Sequence, residues 1–221
     1  MPVSSETQNS SLSEGISGRR TRVPQQARSR RTREAVLAAA TECFERNGFD
    51  DTTTAMIAAK AGIAVGSLYG YFQDKRQILL ELLDVHAEEV AGMVIDDLAP
   101  TKWRGRDPRE QVRQLIDLVF HSQRLRPGMQ RIMWERYFKD DGFRVPFEAV
   151  RDRIREAIEE FLDAVAEQGL LRDLDRESAS FVVLNAVQWN ATQAFMYGSP
   201  EEIDATAAAT SDLVARYIFR E

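Results

Sequence analysis

The sequence predicts an all-α protein: a small N-terminal three-helix unit followed by a longer helical region. From Ser29 onward, apolar residues recur at spacings of three and four, the period of helices with one buried face. No stretch of useful length alternates apolar and polar residues as a half-buried strand would, and no segment repeats. The 221 residues are 43% hydrophobic and 29% charged, the balance of a soluble globular chain. That length suits one or two domains.

Residues 1–27 are expected to form a disordered Ser/Arg-rich tail, because serines up to Ser17 accompany too few apolar side chains to offset the entropy of ordering. A first helix then carries Val36, Leu37, Ala40, Cys43 and Phe44 on one face. It ends at Asn47-Gly48, where glycine suits the left-handed conformation past a helix terminus. Thr53 is placed to cap a short second helix ending near Lys60. Gly62 permits a tight turn, Val65–Phe72 forms a third helix, and a fourth begins at Asp74-Lys75 and runs through Leu79, Leu83, His86 and Val90. Residues 28–80 thus form one unit and 81–221 the next.

Pro100, Arg104-Gly105 and Asp107-Pro108 interrupt the pattern. A helix with Val112, Leu115, Ile116 and Val119 on one face follows, closed by Pro127-Gly128. The next carries Met129, Ile132, Met133 and Tyr137 together. Phe147, Val150, Ile154, Ile158, Phe161 and Val165 make the clearest stripe of the chain, and Gly169 ends that helix. Residues 176–197 are apolar nearly all round, which implies burial on more than one side. Pro200 at a first turn opens the last helix, with Ile203, Ala207, Val214 and Ile218.

The net charge of −6 hides an asymmetry. Residues 1–80 carry a net +3 and residues 81–221 a net −9. Arg19, Arg20, Arg22, Arg28, Arg30, Arg31 and Arg33 fall in a stretch without a single acid, the mark of a basic arm. The second helix, the Gly62 turn and the third helix form a helix-turn-helix pattern, in which the second element would enter the major groove of DNA. Tyr69 and Tyr71 can direct hydroxyls at phosphates, and Lys75 adds a charge at the next helix start.

From Thr52 to Leu80 the chain reads TTTAMIAAKAGIAVGSLYGYFQDKRQILL. This stretch closely resembles the DNA-binding region of the tetracycline-repressor (TetR) family of bacterial transcription regulators. The family pattern is met by Thr52-Thr53, Ile57-Ala58, Ala61-Gly62-Ile63, Gly66-Ser67-Leu68-Tyr69, Tyr71-Phe72 and Lys75. The resemblance implies that Thr53, Tyr71 and Lys75 contact phosphates and that Val65, Gly66, Ser67 and Tyr69 face bases or adjacent backbone. Leu68, Phe72, Ile57 and Phe44 would be core. Three positions depart from the pattern: Met56 removes the acidic half of a capping box, Ala64 replaces a capping hydroxyl, and Gly70 replaces a larger side chain. With so few polar readers on the third helix, affinity should lean on phosphate contacts from Arg28, Arg30, Arg31 and Arg33.

The resemblance further implies a C-terminal half that binds an effector and forms a homodimer. The all-round apolarity of residues 176–197 supports pairing of the last two helices with a second copy, and two half-sites on a near-palindromic double-stranded operator require such a dimer. Phe120, Met129, Met133, Trp134, Tyr137, Phe138, Trp189, Asn190 and Met196 are candidates to line a site for an apolar, aromatic or cationic small molecule. No cofactor or metal is implied. One cysteine builds neither a disulfide framework nor a cysteine-based zinc site. The phosphate-loop, nucleophile-elbow, HExxH and GxGxxG patterns are absent, so catalysis is not expected. Met1–Gly18 lacks the apolar segment of a signal peptide and no apolar run approaches membrane-spanning length, so a cytoplasmic protein is expected. The alternative function is a helical small-molecule carrier or interaction protein without operator-specific DNA binding.

Overall fold

In the computed structural model, which describes residues 25–122 and 127–220, the chain folds as α1 (Gln25–Asp51), α2 (Thr54–Lys60), α3 (Val65–Leu68), α4 (Lys75–Leu98), α5 (Pro100–Trp103), α6 (Pro108–Ser122), α7 (Pro127–Lys139), α8 (Asp141–Glu167), α9 (Arg176–Tyr197) and α10 (Pro200–Ile218). Gln25–Ala27 of the expected tail are already helical, while Arg19, Arg20 and Arg22 lie outside the described residues. Among the described residues, extended pairing is limited to an isolated antiparallel bridge between Leu171 and Phe219.

Local chemistry explains most boundaries. Gly48, at φ 77°, turns the chain at the end of the apolar stripe of α1, and Gly169, at φ 73°, does the same after α8. Asp74 caps α4 by accepting from the Gln77 amide at 2.7 Å. Ser199 and Glu202 close a reciprocal capping box at α10, beside Pro200 in the first turn. The break around Pro100 contains the short helix α5, whose purpose is to bury Trp103. The indole Nε1 donates to the Leu98 carbonyl at 3.1 Å and the ring packs against Phe161 at 5.0 Å.

Two apolar cores run along the molecule. The first joins α1, α2, α3 and the front of α4 through Val36, Phe44, Ile57, Leu68, Phe72 and Leu79. It also takes in Met129, Ile132 and Met133 of α7 and Phe143, Phe147 and Val150 of α8. The second gathers the rest of α4 with α5, α6, α8, α9 and α10 around Trp103, Phe120, Phe161 and Leu162. Ile95 and Ile154 touch both cores. The packing therefore does not divide at residue 80: α4 crosses the expected boundary, and α7 with the start of α8 is built onto the N-terminal unit.

Candidate nucleic-acid interface and effector cavity

The helix-turn-helix is assembled from the inside. Thr52 is fully buried, and its hydroxyl lies 2.7 Å from the Gly48 carbonyl and 3.1 Å from that of Cys43, fixing α1 to the start of α2. Thr53 caps α2, its Oγ1 accepting from the Met56 amide at 3.2 Å. Gly62, at φ 69°, makes the turn that an L-side chain would strain. Ala64 begins α3 without a side-chain cap. Leu68 then anchors α3 in the first core with no exposed surface.

This anchoring leaves Val65, Gly66, Ser67 and Tyr69 facing solvent. Tyr69 is held in place by a 3.0 Å hydrogen bond between its hydroxyl and Thr54 Oγ1. Tyr71 is half-buried, and Arg28, Arg30 and Arg31 are exposed on the first turns of α1. Arg30 makes only a loose 3.5 Å pair with Glu34.

Two residues expected at the DNA surface are half-buried and engaged with other parts of the protein. Arg33 pairs with Glu81 of α4 through both terminal nitrogens, and its guanidinium lies 4.9 Å from the centre of the Phe72 ring. Its sequence position carries the signal, since 33, 36 and 40 share one helical face and Val36 and Ala40 are core. Lys75 Nζ donates to the carbonyls of Phe49, Asp50 and Thr52, each at 2.8 Å, and sits 4.6 Å from the Phe49 ring centre. An ammonium has three protons, and all three are used. The carbonyls at the end of α1 lack helical partners and need such a donor.

The ring of Phe49 also receives Arg136 of α7, at 4.8 Å. Next to it, Arg76 makes a two-pronged pair with Asp140, at 2.8 and 2.6 Å, between the start of α4 and the cap of α8. The Arg76 guanidinium holds the Asp140 carboxyl below the usual carboxylate range and is itself pushed up. Gly128 allows α7 to touch α1: a methyl group there would lie 2.7 Å from Glu45 Cα. These contacts are the mechanical link between the helix-turn-helix and the helices behind it.

The expected effector residues are placed as follows. Phe120 belongs to the second core, and Met129 and Met133 to the first. Trp134 is the hub of an aromatic cluster with Tyr137, Phe138, Phe147 and Trp189, at ring-centre distances of 5.5, 6.3, 6.2 and 6.1 Å. Its indole donates to Thr192 at 3.2 Å. Tyr137 donates to the Glu148 carboxylate, which pushes the phenol up from its ordinary value. Asn190 donates to Thr210 of α10 at 3.2 Å. Phe138 and Trp189 are 72% and 51% exposed.

None of these residues, nor Met196, lines the apolar cavity of about 120 Å³ inside the second core. Aliphatic side chains from α4, α6, α8, α9 and α10 form its wall, among them Val94, Ile116, Ile158, Val187 and Val214. Phe161 is its one ring and Gln188 its one polar side chain. Sequence reasoning favoured the aromatic and methionine residues over this aliphatic set, because valine, leucine and isoleucine stripes are indistinguishable from ordinary core until helices are packed.

Among the described residues no cluster of three or more His, Cys, Asp or Glu could hold a metal ion. Cys43 is buried, and burial pushes its thiol up, away from reactivity. No helix among the described residues is long and apolar enough to cross a membrane.

Residues 36–82 match the family model described as bacterial regulatory proteins, tetR family. The helix-turn-helix region is therefore similar to the DNA-binding region of the TetR family. A curated relative, the HTH-type transcriptional regulator BetI of Stenotrophomonas maltophilia, is 32% identical over 108 residues, covering 45% of this chain and 50% of the relative. The chain thus spans about half the length of that relative. The likeness of fold extends further. SmeT, the repressor of the Stenotrophomonas maltophilia multidrug efflux pump SmeDEF, superimposes with a TM-score of 0.66 at 22% identity over 86% of this chain and 91% of SmeT. A Saccharomonospora viridis protein in complex with choline gives 0.70 at 18% identity over 87% of this chain and 100% of that one.

Proposed function

We propose that this protein is a TetR-family, ligand-responsive, sequence-specific transcriptional regulator, a repressor that binds a near-palindromic operator as a homodimer and is released by a small molecule. One observation carries the reading: α3, pinned by the buried Leu68, offers Val65, Gly66, Ser67 and Tyr69 to solvent from within a helix-turn-helix. Thr53 and Tyr71 flank that surface as phosphate contacts, and Arg28, Arg30 and Arg31 add charge from α1. Arg33 and Lys75 act as positioning residues, tied to Glu81 and to the carbonyls of Phe49, Asp50 and Thr52. The repressor sense follows SmeT, and a bound small molecule is found in the choline-bound neighbour.

Dimerisation through α9 and α10 is supported by their uncovered apolar side chains. Phe181, Val182, Trp189 and Tyr197 on α9 and Leu213 on α10 are all 46% exposed or more. A cytoplasmic location accords with a DNA partner. The test is a mobility-shift assay with the promoter regions flanking the protein's own gene. A salt-sensitive shift by the folded dimer is the expected result. Absence of a shift at low salt, with folded dimer present, refutes the regulator and leaves a helical carrier.

A further inference from the structure

We infer that the effector is an uncharged aliphatic molecule of about six carbons, held in the cavity of the second core, and not an aromatic cation held by the Trp134 cluster. The inference deepens the regulator reading by naming its ligand class. Its evidence is the composition of the wall. No lining side chain is charged, and Gln188 alone is polar, so the site can satisfy one hydroxyl, carbonyl or amide group of a ligand. A carboxylate or ammonium would lose its hydration there without a partner. Phe161 is the single ring among aliphatic neighbours and already packs against Trp103 at 5.0 Å, so the wall offers no pair of aromatic faces to sandwich an aromatic or a cation.

Size limits the ligand as well. An engineered apolar cavity of ~150 Å³ in another protein takes up benzene; the ≈ 120 Å³ here fits a compact chain or ring of similar carbon number. The Trp134 cluster offers no comparable space. Its rings pack against one another, edge to face except for the stacked Trp134–Phe138 pair, at 5.1 to 6.3 Å, and so occupy the position a ligand would take. The Tyr137 hydroxyl is committed to Glu148, and the Trp134 indole to Thr192.

The cavity also has a route to the DNA-reading unit. Its wall includes Ile154, which touches the first core, and Val90 and Val94 of α4, the helix that carries Lys75 and Arg76 at its start. A molecule wedged between α4 and α8 pushes on the same two helices that the Arg76–Asp140 pair joins at their ends.

The test is methyl NMR of the isoleucine-labelled full chain, titrated separately with 1-hexanol, hexanoate and choline. With 1-hexanol, the methyls of Ile116, Ile158 and Ile218 shift and saturate, while those of Ile57 and Ile78 in the first core stay still. Hexanoate binds at least roughly tenfold more weakly than 1-hexanol, and choline leaves these methyls unmoved. Val187→Phe weakens 1-hexanol by roughly tenfold, the equivalent of about two methylene groups of lost burial. Val214→Phe is the second filling variant, and circular dichroism verifies the fold of each. Equal binding of hexanoate, or choline binding that moves the Trp134 and Trp189 indole signals, overturns the assignment. Binding is read without DNA, so its failure is separate from failure of the regulator reading. Saturating 1-hexanol that shifts the cavity methyls but leaves a DNA complex intact supports the ligand class and counts against effector-driven release.

Discussion

Replacing Lys75 by methionine separates two roles that its position allows. The family resemblance points Lys75 at a phosphate, whereas the structure directs all three ammonium protons at the carbonyls of Phe49, Asp50 and Thr52. Lys75→Met keeps the apolar stem and removes the donors. Charge-assisted hydrogen bonds are worth about 1.5–3 kcal/mol each where buried. The carbonyls here are partly solvated and can regain water, so about 0.5 kcal/mol apiece is the better figure. Losing the cation over Phe49 adds about 0.5 kcal/mol, giving a total near 2 kcal/mol. For a chain of this size that corresponds to a fall in Tm of roughly 4–8 °C. The second measurement is the salt dependence of binding to a fluorescently labelled duplex, by anisotropy. A lost phosphate contact lowers the slope of log K against log salt by about 0.9 per protomer. Lys75→Met is expected to lower Tm and leave the slope unchanged. A slope reduced by about one per protomer with Tm intact would refute the reasoning.

Three further perturbations probe the scaffold. Trp103→Ala empties a site that is 2% exposed and strips the Leu98 carbonyl of its donor, and is expected to destabilise by about 3–5 kcal/mol in denaturant titration; a loss below about 1 kcal/mol would show that α5 carries little of the second core. Gly128→Ala would stabilise an isolated helix by up to about 1 kcal/mol, but here the new methyl meets Glu45 Cα at 2.7 Å, so destabilisation of about 1–3 kcal/mol is expected and a raised Tm would contradict the α1–α7 packing. Asp140 is held below its ordinary pKa by Arg76, so its contribution is present above about pH 4, the unfolded carboxyl value, and is lost as pH falls through the lower folded value. Asp140→Asn keeps a side chain able to cap α8, and its Tm should lie roughly 2–4 °C below wild type at pH 7 and converge with it as the wild-type carboxyl is protonated in acid; a gap that persists there would assign the effect to something other than the ion pair.

The sequence alone determined the helical class, the helix-turn-helix and most helix ends, because these depend on information within one or two turns. Gly48, Gly62 and Gly169 occupy the positive-φ positions that their neighbours announce, and Thr53 and Asp74 cap the helices they precede. Even the weak cap at Ala64 and the absent box at Met56 were readable residue by residue. Which polar side chains are free to act was not. Arg33 shares a helical face with the core residues Val36 and Ala40, but only the crossing of α1 and α4 places Glu81 within its reach, and the carbonyls of Phe49, Asp50 and Thr52 within reach of Lys75. Conspicuous aromatics such as Trp134 and Trp189 mark a cluster near the surface, while the cavity is built from valine, leucine and isoleucine that resemble any core stripe. A cavity is a failure of five helices to fill the space between them. Its existence depends on helix separations that no single helix's sequence contains, so tertiary structure alone decided where the cavity lies and which side chains line it.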